Sequence, residues 1–207
     1  MIKNIYPGKF IVFEGLDGSG QSTQAALLKD FLIKKGKEAV LTKEPTIDSQ
    51  AGKKIKNVLE KKEEIKPLDL QKLFAEDRKW HLEKIIIPAL KKGRFVISDR
   101  YFFSSFAYGA SEGLDLDELI KINDDFILPD LTIFLEVSPY ICIQRIEKRG
   151  IEKTLFEREE KLKKVLEKYK ILLQKFENCV IIDGEKSIPE VFKEIQNLVL
   201  SYFFKNN

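Results

Sequence analysis

The chain has very few of the residues from which metal centres and covalent cross-links are built. Its 207 residues include two cysteines, Cys142 and Cys179, and a single histidine, His81. The cysteines lie far apart, and neither a CxxC pair nor a cysteine–histidine spacing typical of metal ligands is present. We therefore expect no zinc site and no disulfide framework, and the sequence predicts a reducing, cytoplasmic environment.

Long apolar runs and an excess of charge of one sign are also missing. No stretch reaches the roughly 18 apolar residues of a membrane span, and the first nine residues lack the apolar core of a secretion signal. The net charge is only +3, from 36 basic and 33 acidic residues. Neither a membrane nor a nucleic acid is therefore an expected partner. A hydrophobic content of 43% is typical of an ordinary globular protein.

Arginine is scarce among the basic residues, and lysine supplies most of the positive charge. Positions that keep arginine are therefore candidates for sites that need its planar, bidentate guanidinium. These positions are Arg78, Arg94, Arg100, Arg145, Arg149 and Arg158. Arg94 and Arg158 are equally well explained as surface charge.

Short apolar runs alternate with helical patterns along the whole chain. The runs are rich in β-branched and aromatic residues, as in parallel strands covered on both faces. Strands are predicted at 10–13, 39–42, 95–98, 131–137 and 179–182. Helices are predicted at 22–35, 50–61, 68–92, 139–148, 156–176 and 189–204. This order predicts one α/β domain over 1–207, with a five-stranded parallel sheet between helices in three layers.

A phosphate-binding loop follows the first predicted strand, with one residue of the usual pattern replaced. Gly15, Gly20 and Ser22 match the pattern GxxxxGK[S/T], but Gln21 stands where lysine belongs. Glycines let the backbone N–H groups turn inward, and the following helix adds its positive end. Ser22 is placed to hold Mg²⁺ through its hydroxyl. The loop therefore predicts nucleotide binding, whereas Gln21 brings no charge.

Two further patterns predict a second nucleotide site. Asp99 and Arg100 follow a core strand, so they lie at the sheet edge that carries the phosphate loop, where an arginine can clamp a second phosphate. Phe74 and Arg78 share one helix face and could stack on a base and bond its edge. The alternatives are a local ion pair at Asp99–Arg100 and a core role for Phe74. His81 is interpreted as a structural or surface histidine.

Taken together, these motifs make the chain similar to the thymidylate kinase family of P-loop nucleoside monophosphate kinases. The matching segments are FEGxDGxG from Phe13, Glu44-Pro45, FAxDR at 74–78, DRY at 99–101, SSFAY at 104–108, PDLT at 129–132 and RIxxRG at 145–150. They are collinear over nearly the whole chain. The resemblance implies the P-loop kinase fold, ATP and dTMP as substrates, Mg²⁺ as cofactor and a homodimer. It also implies an acceptor-binding region at about 44–108 and a lid at about 149–157.

The resemblance also implies roles for individual residues. Phe74 would stack on thymine, Arg78 would bond O4, Ser105 would sit near N3, and Tyr108 near C2′ would disfavour a ribose hydroxyl. Arg100 would hold the acceptor phosphate, Asp17 would orient Arg100 or the metal shell, and Arg149 would lie against adenine. The acceptor set is completed by Glu44, Pro45 and Asp99. The ATP set is Gly15, Leu16, Asp17, Gly18, Ser19, Gly20, Gln21, Ser22, Thr23, Arg145 and Arg149. The catalytic set is Asp17, Gln21, Arg100, Arg149 and Lys153.

The departures from the family pattern leave two alternatives open. Gln21 removes one expected positive charge, and Leu155 stands where members without a loop arginine at position 18 carry an arginine in the lid. Lys153, Arg149 and Arg158 are the candidates to replace this charge when the lid closes. The alternatives to a dTMP kinase are a weak or inactive nucleotide-binding pseudokinase and a kinase for another deoxynucleotide.

Overall fold

The computed structural model of the chain describes residues 1–148 and 155–204, and its centre is a parallel sheet. The strands are β1 Ile2–Lys3, β2 Lys9–Gly15, β3 Ala39–Lys43, β4 Phe95–Asp99, β5 Ile127–Leu128, β6 Leu131–Glu136 and β7 Cys179–Asp183. Five of them form the main sheet in the order β3-β4-β2-β6-β7, and every pair is parallel. The short β1 and β5 pair separately.

Helices and one wider turn connect the strands. The helices are α1 Gln21–Lys34, α2 Gln50–Leu59, α3 Pro67–His81, α4 Ile87–Lys91, α5 Phe102–Ser111, α6 Leu116–Ile122, α7 Pro139–Glu147, α8 Leu155–Leu173 and α9 Ile188–Phe203. A π-helical turn, Leu82–Ile86, separates α3 from α4 within the predicted helix 68–92. Pro88 explains the wider turn, because proline has no N–H to donate to the helix and its ring crowds the preceding turn. No helix among the described residues is long and apolar enough to cross a membrane.

Alternate residues of the central strand bury themselves in two separate cores. Phe10 and Val12 of β2 point into a core filled by α5 and α8. Ile11 and Phe13 point into the opposite core, which α1 and α9 fill. Because both faces of the sheet are covered, the strands are nearly continuously apolar. The predicted three-layer fold with a five-stranded parallel sheet is confirmed.

The strand register brings the predicted site segments to one edge. Lys43 is opposite Asp99, Asp99 is opposite Phe13, and Gly15 is opposite Leu135. The carboxyl ends of β3, β4 and β2 therefore lie side by side. This edge carries the phosphate loop, the Asp99–Arg100 pair and the Glu44–Pro45 segment, as expected for ligand sites in open parallel sheets.

Candidate active site

The phosphate loop has the backbone geometry that anion binding requires. Gly18 and Gly20 have left-handed φ angles of 89° and 98°, and Gly20 is the N-cap of α1. A Cβ atom at Gly18 would lie 2.5 Å from the carbonyl oxygen of Cys142, so a side chain is excluded there. The loop thus leads into the N-terminus of a 14-residue helix, where unpaired N–H groups and the helix dipole favour phosphate.

Gln21 folds inward against the loop. Its side chain is buried, and Oε1 lies 3.4 Å from Ser19 Oγ, which can donate to it. Oε1 also sits close to Gly15, where an added Cβ would be 3.2 Å away. The amide thus packs against the loop and contributes hydrogen-bonding capacity but no positive charge.

Ser22 and Asp99 form a pair of oxygen donors beside the loop. Ser22 Oγ donates to Asp99 Oδ2 at 2.5 Å, and Lys43 Nζ lies 3.1 Å from the same oxygen. Asp99 is buried, and its Oδ1 has no hydrogen-bond partner among the described residues. Hydroxyl, carboxylate and phosphate oxygens are the ligands that Mg²⁺ prefers. The residues present therefore fit a magnesium ion that is completed by nucleotide and water.

Arg100 is held in position from three sides. Its backbone is left-handed, with φ 76°, which is unusual for a non-glycine residue and indicates a functional constraint. Its guanidinium donates to Ser104 Oγ at 2.7 Å and to Asp17 Oδ1 at 2.8 Å. It also lies 5.5 Å above the ring of Tyr108, whose hydroxyl donates to Asp17 Oδ2 at 3.1 Å. Asp17, Arg100 and Tyr108 are thus brought together next to the phosphate loop.

Glu14 holds in place the residues that follow Arg100. It is fully buried and accepts backbone N–H bonds from Tyr101 and Ser104, at the start of α5. Its other oxygen lies 2.5 Å from Ser104 Oγ and 2.9 Å from the hydroxyl of Tyr169. Burial raises the pKa of Glu14 from 4.5 to about 7, although the charge of Arg100 and these hydrogen bonds oppose the shift. Arg100 is therefore held by a hydrogen bond to Ser104, and Ser104 is held by a hydrogen bond to the titratable carboxyl group of Glu14.

The predicted base-recognition residues surround a buried guanidinium. Arg78 donates from Nε to Glu44 Oε2 at 2.8 Å, and from its two terminal nitrogens to Asn123 Oδ1 at 2.5 Å and to Ser105 Oγ at 3.0 Å. Phe74 lies one helical turn before Arg78 and is half-buried. The structure thus joins Arg78, Ser105 and Glu44 directly.

A second carboxylate anchors the segment after Pro45, which is half-buried. Asp77 accepts the backbone N–H of Thr46 at 2.7 Å and the hydroxyl groups of Thr46 and Ser49. Ser49 is also the N-cap of α2. Asp77 therefore fixes the segment after Pro45 to α3, although it does not belong to the predicted site.

Arg145 contacts backbone oxygens. Its guanidinium donates to the carbonyl of Ser19 at 3.2 Å and to that of Gly184 at 3.0 Å. It thereby connects the phosphate loop to the segment between β7 and α9. Of the other predicted residues, Arg149 and Lys153 lie outside the described residues, as do positions 149–154 of the lid.

Sequence reasoning assigned no role to several residues that the structure places around the site. Lys43 and Asn123 bond the predicted site residues Asp99 and Arg78. Glu14 and Asp77 bond neighbours of the predicted site, Ser104 and Thr46. His81 was interpreted as structural or surface; it is buried and bonds the site carboxylate Glu44. Glu14 directly precedes the loop glycine Gly15, which was a usable signal. The other contacts depend on tertiary placement.

The fold and the loop place the chain in the class of P-loop kinases, with Arg100 and Tyr108 bonded to the loop residue Asp17. The family profile described as thymidylate kinase matches residues 13–195. A probable thymidylate kinase of Pyrococcus horikoshii is 41% identical over 197 residues, covering 93% of this chain and 96% of that protein. One from Thermococcus onnurineus is 42% identical over 199 residues, with 92% and 96% covered. A thymidylate kinase of Caldicellulosiruptor saccharolyticus is 37% identical over 198 residues, with 93% and 96% covered. The chain belongs to the thymidylate kinase family, and the predicted membership is confirmed.

Proposed function

We propose that this chain transfers the γ-phosphoryl group of ATP to dTMP, which gives dTDP and ADP. The observation that carries the proposal is that two arginines, one beside the phosphate loop and one buried, bond adjacent serines of α5, Ser104 and Ser105. Arg100 lies beside the loop and contacts Asp17, and the buried Arg78 contacts Ser105 and Glu44. Family membership and the names of the relatives support the kinase, and they favour it over the pseudokinase alternative.

The acceptor pocket is proposed to extend from Arg78 to Arg100. Three guanidinium bonds of Arg78 are made within the protein, so two of the five N–H donors that an arginine carries are left for O4 of the base. Phe74, one turn earlier, would stack on thymine and Ser105 would lie near N3. Tyr108 would exclude a ribose hydroxyl at C2′, and Arg100 would hold the acceptor phosphate. Pro45 and Glu44 would line the same pocket.

Catalysis is proposed to rest on positioning and charge neutralisation, without a covalent enzyme intermediate. The loop backbone holds the ATP phosphates, Arg100 fixes the attacking phosphate in line, and Asp17 orients Arg100. Ser22 and Asp99 would hold Mg²⁺, which neutralises charge on the ATP phosphates when bound. Arg145 keeps the loop in place, and Arg149 would pack against adenine.

Gln21 leaves one positive charge to be supplied from elsewhere. The side-chain amide of Gln21 is already packed against Gly15 and Ser19, so it offers at most a neutral hydrogen bond. We propose that the lid supplies the charge on closure, through Lys153 or Arg149, with Arg158 as a further candidate. The proposal also includes a homodimer and a cytoplasmic location, which rest on the family resemblance.

An ADP-release assay with a panel of nucleoside monophosphates tests the function. We expect dTMP to be the preferred acceptor, and turnover to require Mg²⁺. Arg78→Ala should raise the KM for dTMP strongly and leave the KM for ATP nearly unchanged, because the proposed role of Arg78 is to bond the base of dTMP and no part of ATP. Equal losses for both substrates would remove Arg78 from the acceptor site. ATP binding without turnover on any monophosphate would favour the pseudokinase.

A further inference from the structure

A chain of four hydrogen-bonded side chains, three of them buried, runs from the sheet to the proposed base-recognition arginine. Thr42 Oγ1 lies 2.6 Å from His81 Nε2, and His81 Nδ1 lies 3.0 Å from Glu44 Oε1. The other oxygen of Glu44 accepts from Arg78 Nε at 2.8 Å. Glu44, Arg78 and His81 are each at most 3% exposed. Water therefore does not replace these hydrogen bonds easily.

For an ionised Glu44 and a neutral His81, the chemistry of the four groups gives each bond one direction. An ionised carboxylate only accepts hydrogen bonds, so His81 Nδ1 must donate to Glu44. In the neutral ring Nε2 is then the acceptor, and the hydroxyl of Thr42 is a donor that satisfies it. The Glu44 carboxylate thus selects the Nδ1–H tautomer, the Thr42 hydroxyl bonds the remaining ring nitrogen, and the histidine occupies Oε1 of Glu44. Only Oε2 is left to face Arg78.

Because the two oxygens of Glu44 bond different partners, they determine how the guanidinium of Arg78 is held. With Oε1 taken by His81, Glu44 makes a single bond to Nε, and the two terminal nitrogens are directed to Asn123 and Ser105. The guanidinium also lies 5.3 Å from the ring of Tyr101, which limits its tilt. Without His81, Oε1 would be a buried acceptor without a partner, which is costly. Glu44 would rotate to engage Arg78 with both oxygens, a favoured geometry for this pair.

We propose that His81 is a positioning residue for base recognition, which acts through Glu44 on the orientation of Arg78. The inference rests on the proposed role of Arg78 at the acceptor base. His81 and Arg78 are three residues apart at the end of α3, so they lie on one helix face with Glu44 between them. Glu44 neutralises the buried guanidinium on its own; the histidine and threonine bonds add orientation.

Two matched pairs of variants separate positioning from general stability. His81→Asn keeps an N–H donor near the place of Nδ1, whereas His81→Leu removes both ring nitrogens at similar bulk. Thr42→Ser keeps the hydroxyl that bonds Nε2 of His81, and Thr42→Val removes it. For each variant we would measure kcat, the KM for dTMP and for ATP, the preference for dTMP over dCMP, and the melting temperature. dCMP carries an amino group in place of O4 and also lacks the N3 proton and the 5-methyl group of dTMP, so the orientation of Arg78 is judged from the change in this preference between matched variants.

The expected result is a selective loss on the acceptor side. His81→Leu should raise the KM for dTMP about fivefold, the effect of one lost hydrogen bond. The KM for ATP should stay unchanged, and the preference for dTMP over dCMP should fall. His81→Asn and Thr42→Ser should behave nearly like the wild type, and Thr42→Val should shift in the direction of His81→Leu. This pattern cannot come from lower stability alone, which would not distinguish the two substrates.

Several results would overturn the inference. They are a folded His81→Leu with an unchanged KM for dTMP, an equal rise in the KM for ATP, or an asparagine variant as damaged as the leucine variant. If His81→Leu does not fold, equal kinetics in Thr42→Val and Thr42→Ser overturn it instead. Arg78→Ala, measured in parallel, tells the two proposals apart. If Arg78→Ala raises the KM for dTMP while the His81 and Thr42 variants do not, only the positioning role fails. If Arg78→Ala has no effect either, the acceptor assignment itself fails.

Discussion

Replacing Glu14 by glutamine should remove a pH-dependent penalty on stability. Glu14 is fully buried between the start of α5 and Tyr169. Glutamine has the same shape, and its carbonyl oxygen can accept the N–H groups of Tyr101 and Ser104. Its amide group can donate to the hydroxyl oxygens of Ser104 and Tyr169, and the neutral acid can donate its single proton to one of them. The substitution therefore resembles Glu14 in its protonated form.

The expected change in the free energy of unfolding follows from the pKa of Glu14, which burial raises from 4.5 to about 7. Below 4.5 the group is protonated in both the folded and the unfolded chain. As the pH rises from 4.5 to about 7, the unfolded chain releases this proton and the folded chain keeps it. The stability contributed by the group is thus present at low pH and lost as the pH rises through this window. The full shift corresponds to about 3 kcal/mol.

Denaturant unfolding of wild type and Glu14→Gln over a range of pH measures this directly. The unfolding free energy of the variant minus that of the wild type should increase by about 3 kcal/mol between about pH 4 and about pH 8. Contributions from other titrating groups cancel in the difference. Glu83→Gln, at an exposed position of the π-helical turn, is the matched control and should give a flat difference. A flat or falling difference for Glu14→Gln would refute the reasoning, because Arg100 and the hydrogen bonds would then outweigh burial.

Three further predictions concern the reaction. Ser22→Ala should lower kcat by roughly tenfold to a hundredfold, with a smaller effect on ATP binding. The Mg²⁺ concentration that gives half-maximal activity should rise. If it does not change, Ser22 is not a ligand of the metal. Gln21→Lys should change kcat little if the lid supplies the missing charge, and Lys153→Ala should then be severe. A gain of one to two orders of magnitude in Gln21→Lys, roughly 1.4–2.8 kcal/mol, with a mild Lys153→Ala would contradict lid compensation. Tyr108→Ala should accept ribonucleotides more readily, whereas Tyr108→Phe keeps the ring that excludes the 2′-hydroxyl. The measurement is the ratio of kcat/KM for the deoxyribonucleotide to that for the ribonucleotide. An unchanged ratio in Tyr108→Ala would show that another residue sets the selectivity.

The sequence predicted the layered fold well, because strands covered on both faces leave continuous apolar runs. Each of the five main strands was predicted within two residues of its observed ends. Helix α5 was not predicted, because Phe102, Phe103 and Phe106 are all buried and leave no clear polar face to give a helical period. The two-residue strands β1 and β5 are too short to show any period.

The candidate site was predictable where a motif is local and unpredictable where a contact is long-range. The phosphate loop and Asp99–Arg100 lie at ends of strands that the pattern revealed. The bond between Glu14 and Tyr169 joins residues 155 positions apart, and the bond between Glu44 and Arg78 joins residues 34 positions apart. Buried polar groups must find partners, but the sequence alone does not say which partner each one finds. His81 illustrates this, since its partners Thr42 and Glu44 lie 39 and 37 positions away in the chain.

Asp17 has a consequence for how the two substrates affect each other. It belongs to the loop that binds the donor, yet both of its carboxylate oxygens are engaged by acceptor-side groups, Arg100 and Tyr108. A change in the loop on ATP binding therefore reaches the residues proposed to hold the phosphate and sugar of dTMP. By thermodynamic linkage any such influence is reciprocal, so dTMP must change the affinity for ATP by the same factor. We expect the enzyme to bind its two substrates cooperatively, with a single loop carboxylate as the connection between them.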